Sequence, residues 1–238
     1  MKTVLVTGGA GDIGSEICRV FVHNGYNVVI NYNTSEEAAL ALCRELGENA
    51  VAIKADISDS GQVKNLFCAA MEAFGGVDVL INNAGVSSFS CSDMISDELW
   101  EKTMAVNLNG CFFCCREALG YMIEKKSGAI INISSMWGVA GASCEVHYSA
   151  SKAGVIGLTK ALAKEVGPCS ITVNCIAPGV IEGKMNSALS VEDIQGLKDA
   201  TPLGRIGTPR DVADLALYLA GADFVTGQII GVDGGFLL

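Results

Sequence analysis

A single α/β domain, with one doubly wound parallel sheet of about seven strands and helices on both faces, is the fold this sequence predicts. Three observations carry that expectation. Short β-branched runs alternate with segments of helical periodicity along the whole chain. No internal repeat, charge block or low-complexity linker divides residues 1–238, and half of them are hydrophobic, which is enough for one sizeable core. The third observation is a glycine cluster directly after the first strand.

That strand, Lys2–Thr7 (KTVLVT), runs into Gly8-Gly9-Ala10-Gly11-Asp12-Ile13-Gly14, and a helix follows from Ile13 to about His23. In a strand–turn–helix context, glycines let the backbone approach a pyrophosphate, and the helix N-terminus supplies donors and partial positive charge. Gly8, Gly11, Asp12, Ile13 and Gly14 are thus candidate cofactor contacts in a Rossmann-type, dinucleotide-binding domain. Asn27–Tyr32 reads as the second strand and Thr34–Gly47 as a helix with Thr34 or Ser35 near its cap. An acidic residue at the end of this strand usually grips the ribose 2′-hydroxyl. Here the region is Asn31, Tyr32, Asn33, Thr34 and Ser35, with no carboxylate to repel a 2′-phosphate and no arginine to pair with one. NADP(H) is favoured over NAD(H), with Tyr32, Asn33, Thr34 and Ser35 as its candidate contacts.

Ala50–Ala55 is a third strand ending in Asp56-Ile57, and Asp59–Phe74 has helical spacing. Val77–Ile81 is a fourth strand that runs into Asn82-Asn83-Ala84-Gly85, a small-residue turn that either places backbone beside a ligand or stabilises the sheet. Asp97 to about Lys126 is one long helical pattern interrupted by Asn107, which calls for a local distortion or a buried hydrogen bond. After the fifth strand, at Ile130, comes a glycine-rich loop and then a helix opened by Tyr148. Ser170–Ala177 is the sixth strand, closed by Pro178-Gly179. Residues 180–207 carry Gly183, Gly196, Gly204 and Gly207 around a short helix and are the candidate substrate lid. Pro209–Ala220 is the last helix, and Gln228–Val232 the last strand.

The chemistry is concentrated in IINISSMWGVAGASCEVHYSASKAGVIGLTKAL, from Ile130 to Leu162. Tyr148 and Lys152 stand at i and i+4, so the phenol and the ammonium share one helix face. A phenol with a pKa near ~10 is a poor acid–base group at neutral pH. A nearby ammonium is expected to pull that pKa down and make the oxygen a usable proton donor or acceptor. Ser135, at the strand end, is placed to hydrogen-bond a substrate oxygen where charge develops.

Bulk properties narrow the function classes. The net charge of −10 and the lack of any basic run argue against nucleic acid and anionic membrane partners. No apolar segment reaches spanning length, and the MKTVLVTGG start lacks signal-peptide anatomy, so a cytoplasmic chain is expected. Ten cysteines are scattered, mostly through apolar runs, and Cys111, Cys114 and Cys115 share a helical face with no histidine near in sequence. They read as small apolar residues in a reducing compartment, with no metal site.

Thr7-Gly8 through Gly14, Asn82-Asn83-Ala84-Gly85, Asn107, Ser135, Tyr148-x-x-x-Lys152 and Pro178-Gly179 occur in one order along the chain. Together they resemble the short-chain dehydrogenase/reductase superfamily over essentially the whole length. The resemblance implies an NAD(P)-dependent enzyme acting on carbonyls or alcohols. It makes Tyr148 the acid–base and Ser135 the group that orients the substrate oxygen. Lys152 would tune the tyrosine and bind the nicotinamide ribose, and Asn107 would hold a proton-relay water. Asp56 with Ile57 would face the adenine, and Asn83, Ala84, Gly85, Pro178, Gly179 and Ile181 would flank the cofactor. It also implies a homotetramer or homodimer joined through the long helices and the C-terminal segment. The apolar content of Cys111–Met122 and of Phe236-Leu237-Leu238 is compatible with that.

Two positions depart from the family pattern. Asp12 stands where the single-domain branch usually has a glycine, and a carboxylate so placed disfavours pyrophosphate unless it turns outward. Gly183 stands where a cofactor-contacting threonine is common. Within the superfamily, YSASKAGVIGLTKALAKE, ITVNCIAPG, PLGRIGTP and the VDGG ending resemble 3-oxoacyl-[acyl-carrier-protein] reductases. The arginines with which that group often docks its carrier are replaced by Ala129 and Cys169-Ser170, and Lys125 and Lys126 compensate only in part. The loop SSMWGVAGASCEVHYS also resembles reductases of the 5-aminopentanone modification on elongation factor P. Glu145 would suit that amine-bearing substrate or would be a solvated loop charge. His147 either tunes Tyr148 or packs, and Met136 and Trp137 either line the pocket or fill the loop's own core. The remaining alternative, a non-catalytic dinucleotide-binding redox sensor, fits poorly with an intact tyrosine and lysine.

Overall fold

The computed structural model describes residues 1–184 and 190–238. Seven strands lie in one parallel sheet: β1 (Thr3–Val6), β2 (Asn27–Tyr32), β3 (Ala50–Lys54), β4 (Val79–Asn82), β5 (Gly128–Ile133), β6 (Ile171–Pro178) and β7 (Ile229–Val232). Their order is β3-β2-β1-β4-β5-β6-β7, so the winding reverses between β1 and β4. In open sheets of this kind that reversal opens a crevice at the carboxyl ends of the strands. The predicted doubly wound α/β architecture is the one observed.

Why the strands read as continuous apolar runs is evident from their two faces. Val4 and Val6 of β1, with Val28 and Ile30 of β2, pack under α1 (Asp12–His23), α2 (Glu36–Leu46) and α9 (Pro209–Gly221). Leu5, Val29, Leu80 and Ile130 point the other way, under α3 (Ser60–Phe74), α5 (Gly110–Lys125) and α7 (Val146–Val166). Parallel strands with helices over both faces bury both sides of the central strands, so alternation disappears from their sequence. The cysteines at 111, 114 and 115 sit wholly inside the second core, as do Ala118 and Met122. Much of the apolar content expected at a subunit interface therefore belongs to this chain's own interior.

The long helical pattern from Asp97 is interrupted. It forms α4 (Asp97–Met104), one π-helical stretch over Ala105–Asn109, and then α5. The π turn closes with Gly110 N donating to Ala105 O. A second local element, α6 (Met136–Ala140), was not anticipated in the glycine-rich loop and starts at Ser135, whose Oγ accepts from Trp137 N at 3.1 Å. Helix α7 begins two residues ahead of Tyr148.

Residues 180–207 are joined at their base. Ile181 bridges Gly207, with Gly207 N donating to Val180 O and Glu182 N to Gly207 O, both at 2.8 Å. Between them lies α8 (Val191–Ala200), opened by a Ser190–Asp193 capping box. Residues 185–189 of the expected lid lie outside the described residues. Among the described residues no helix is long and apolar enough to cross a membrane.

Candidate active site

Four predicted residues converge at the carboxyl ends of β4, β5 and β6. Ser135 follows β5, Tyr148 and Lys152 lie on the first turns of α7, and Asn107 sits in the π turn. All four are buried. Ser135 hydrogen-bonds the Tyr148 hydroxyl. The Lys152 ammonium lies 5.7 Å from the Tyr148 ring centroid and donates to Ile133 O at 2.9 Å. Helix α7 is held against the strand by Ser134 Oγ, which donates to Lys152 O at 2.9 Å.

Asn107 explains the distorted helix. Its Nδ2 donates to Val86 O (2.9 Å) and Ser151 Oγ (3.0 Å), while its Oδ1 accepts from Val86 N (2.8 Å). Both alternatives raised by a mid-helix asparagine are realised together: a buried hydrogen-bond node and a π turn that carries it. This node clamps the segment after β4 to α7. Because the side chain is so engaged, a relay water at Asn107 would fall to the main chain of the π turn.

The electrostatics differ from the expected direction. Burial pushes the Tyr148 phenol up to about 12, and the Glu145 carboxylate adds to the rise while the Ser135 hydrogen bond opposes it. Burial also pulls the Lys152 ammonium below its ordinary value, opposed by Cys111 and Cys175. The expected lowering of Tyr148 by Lys152 is therefore not found. The lysine is itself desolvated and committed to a carbonyl, and burial of the phenol sets the direction of the shift.

The glycine turn is built for a close approach. Gly8 has φ +60°, and a Cβ there would stand 2.9 Å from Ala84 Cα, so this strand end tolerates only glycine. Thr7 Oγ1 accepts from Asn83 N and Ala84 N at 3.0 Å, and Asn83 Nδ2 donates to Thr7 O (3.0 Å) and Gly8 O (3.1 Å). Asn83 thus turns its side chain onto the glycine turn. Gly11 is the exposed N-cap of α1, and no side chain caps that helix. At the neighbouring turn, a Cβ on Gly85 would lie 3.2 Å from Lys152 Nζ and 3.3 Å from Asn107 Oδ1. An uncapped helix start, a side-chain-free lane past Gly11 and Gly85, and a buried ammonium with one carbonyl partner among the described residues fit a dinucleotide. Gly11, Asp12, Ile13 and Gly14 would hold its pyrophosphate, and Tyr148 and Lys152 its nicotinamide ribose.

Other predicted cofactor residues take varied positions. Asn33, Thr34 and Ser35 are exposed, and Ser35 is the N-cap of α2 with its side chain unused in capping. Tyr32 is 7% exposed and packs in the core, with its hydroxyl 3.5 Å from Glu36 Oε1. Asp56 Oδ1 accepts from Ser58 N (2.9 Å) and Ser58 Oγ (2.7 Å). Ile57 is buried and presses on Gly110, where a Cβ would stand 2.8 Å from Ile57 Cδ1. Pro178 is buried at the end of β6, and Gly179 abuts Asp233 and donates to Val232 O at 2.9 Å. Ile181 is buried at the lid base.

The two departures from the family pattern touch each other. Asp12 Oδ2 accepts from Lys184 N at 2.6 Å, and a Cβ on Gly183 would overlap the same carboxylate. Asp12 is therefore turned toward the joined base of the 180–207 segment, and the missing side chain at Gly183 makes room for it.

Sequence reasoning missed several contributors. Asn31 Oδ1 accepts from Gly8 N (3.4 Å), and its Nδ2 donates to Ala55 O (3.1 Å), tying β2 to the glycine turn. An amide inside the apolar run NVVINY was the available signal. Lys54, in register with Tyr32 at the end of β3, is an exposed cation beside the strand end that leads into Asn33-Thr34-Ser35. Glu145 is not a solvated loop charge: it is 6% exposed, and its Oε1 accepts from Ser87 Oγ at 2.6 Å. His147 is fully buried with Nε2 3.0 Å from Ser88 Oγ, so it packs. Met136 is core, and half-buried Trp137 meets Phe236 edge-on at 6.0 Å. Nothing in the sequence marked Ser87 or Ser88. Lys125, a candidate for docking an acidic carrier, is paired with Asp78. Among the described residues no three His, Cys, Asp or Glu side chains group to hold a metal.

A family model described as short chain dehydrogenase matches residues 2–193. The chain belongs to the short-chain dehydrogenase/reductase family. It is 39% identical over 242 residues to the 3-oxoacyl-[acyl-carrier-protein] reductase FabG of Staphylococcus aureus, covering 100% of this chain and 98% of the relative. The namesake from Staphylococcus epidermidis is 38% identical over 242 residues, covering 100% and 99%. That from Chlamydia trachomatis is 38% identical over 239 residues, covering 98% and 96%. Family membership makes this short-chain dehydrogenase/reductase an NAD(P)-dependent oxidoreductase.

Proposed function

We propose that this enzyme reduces a 3-oxoacyl-type carbonyl to an alcohol with NADP(H), with Tyr148 giving the proton. The observation that carries the proposal is the convergence of Ser135, Tyr148, Lys152 and Asn107 beside the glycine turn. The bound dinucleotide supplies a hydride. Ser135 donates a hydrogen bond to the carbonyl oxygen, where negative charge grows. Tyr148 is protonated at neutral pH, as any phenol is, and burial raises its pKa further; it transfers its proton to that oxygen. Lys152 holds the ribose edge and places a positive charge behind the phenol as phenolate forms. The described residues of the expected 180–207 lid, α8 among them, would border the substrate side.

Support for NADP(H) comes from the exposed, carboxylate-free Asn33-Thr34-Ser35 turn and from Lys54 beside it. Glu36 and Glu37 in the first turn of α2 oppose it. The enzyme acts in the cytoplasm as a homotetramer or homodimer, and its substrate is a small or carrier-linked molecule. The test is oxidation of NADPH and NADH with an acetoacetyl thioester. Turnover with NADPH preferred supports the reading, and no turnover of any acyl thioester rejects it.

One observation favours a second substrate, the 5-aminopentanone modification on elongation factor P. Glu145 is a buried carboxylate near Tyr148 whose side chain bonds only Ser87 among the described residues. A substrate amine would compensate that charge. Glu145→Gln then raises KM for a 5-aminopentanone-bearing substrate about tenfold, the value of a charge-assisted hydrogen bond, and leaves thioester KM unchanged. Equal effects on both substrates reject amine recognition. A redox sensor without turnover would leave the buried Tyr148–Ser135 pair with no task.

A further inference from the structure

Cys91 and Cys144 are far apart in sequence and meet in space. Their Sγ atoms lie 3.8 Å apart, and Ser90 N donates to Cys144 O at 2.8 Å, which brings the two backbones side by side. Cys91 is exposed and Cys144 half-buried, so an oxidant in solution can reach the pair. The other cysteines offer no equivalent. Cys18, Cys111, Cys114, Cys115 and Cys175 are buried in the sheet cores, while Cys43, Cys68 and Cys169 reach solvent in part but pair with no second thiol among the described residues.

The location gives the pair a consequence. Cys91 ends the segment that leaves β4, and Cys144 immediately precedes Glu145 and α7. Between these segments run Ser87–Glu145 (2.6 Å), Ser88–His147 (3.0 Å) and Ser90–Cys144, and Val86 is clamped on Asn107. The cysteines are the next rung of the same ladder, and that ladder holds the start of α7, where Glu145 is the N-cap three residues before Tyr148.

We propose that Cys91 and Cys144 form a thiol–disulfide site that takes a low-molecular-weight disulfide as oxidant and, when closed, restrains the two segments beside the catalytic tyrosine. One cysteine thiolate attacks the oxidant, forming a mixed disulfide and expelling one small thiolate. The second cysteine thiolate then attacks the protein-bound sulfur of that mixed disulfide, expelling the other. Two protein thiols and one small disulfide become one protein disulfide and two small thiols, which carry away the two protons. The Sγ atoms must close from 3.8 Å to the ~2.05 Å of a disulfide, a shift of side chains on loops outside the sheet.

The test uses the full chain, reduced and then incubated with oxidised glutathione. Non-reducing peptide mapping should recover a Cys91–Cys144 cross-link as the main product, and Cys91→Ser should instead retain glutathione on Cys144. Thioester-dependent NADPH oxidation should fall at least about threefold on closure, recover with dithiothreitol and be unaffected by oxidised glutathione in a Cys91→Ser/Cys144→Ser double variant. Glutathione confined to Cys68, or no cross-link, overturns the site. A cross-link with unchanged turnover overturns its effect on the enzyme. Only this activity arm rests on the proposed function, and mapping answers independently if no substrate is turned over.

Discussion

The candidate catalytic cluster and the candidate cofactor rim of this enzyme lie in the same crevice, yet they are held in different ways. Ser135, Tyr148, Lys152 and Asn107 are buried, and each is seated by a regular element, a cap or a π turn. Along the rim, Asn33, Thr34, Ser35, Gly183 and Lys184 are exposed, and the lid base meets the glycine turn through the Asp12–Lys184 hydrogen bond. The buried cluster has few alternatives once the sheet forms. The rim can change residue by residue, and here it carries both departures from the family pattern.

Replacing Lys152 should separate the buried cluster from the rim in both rate and stability. Lys152→Met should lower kcat/KM for NADPH-dependent reduction by about 10²-fold, as expected for losing a charge aimed at a developing anion. The same change should raise the melting temperature. Burial lowers the folded pKa of this lysine below its unfolded value, so the unfolded chain binds the extra proton more readily. Stability is thus reduced below the folded pKa and recovers as pH rises toward the unfolded one. Thermal melts of both proteins at neutral pH check this, and a lower melting temperature for the variant would count against it.

The rim should yield smaller, coupled effects. Gly183→Thr alone places a side chain against the Asp12 carboxylate and should weaken NADPH binding and stability. Adding Asp12→Gly should recover part of both, with a coupling of about 1 kcal/mol in a double-mutant cycle. Additive effects would mean the two departures are independent. The smallest effect is expected where the 180–207 segment runs into α9, where Arg205 makes two 2.8 Å bonds to Asp211 and Asp211 closes a capping box with Thr208. Asp211→Asn should cost ~1 kcal/mol. The Arg205 hydrogen bonds hold the Asp211 carboxyl well below its ordinary value, so this contribution is present above the unfolded pKa and lost as pH falls through the folded one. Urea melts at neutral and strongly acid pH read the difference.

What the sequence disclosed follows the same division. The strands were legible because both faces are covered, which writes apolar runs such as VLV and AIINI into the chain. Asn107 announced its π turn because an amide is costly inside a helix. Helix α6 escaped because it is five residues long inside a glycine-rich loop, and its cap, Ser135, already had a chemical reading. The rise in the Tyr148 pKa was not legible, since depth of burial depends on everything packed around the phenol. Asp12 and Gly183 were each conspicuous, but only the fold brings residues 171 positions apart into contact. Glu145 was ambiguous for the same reason: Ser87, its partner, lies 58 residues earlier.

Single-turnover reduction by Tyr148→Phe, measured with NADPH affinity on the same protein, tests directly whether Tyr148 is the proton donor. Removing the hydroxyl should slow the chemical step by about 10³-fold while NADPH affinity stays within a factor of about three. A variant that keeps most of its rate would contradict the assignment.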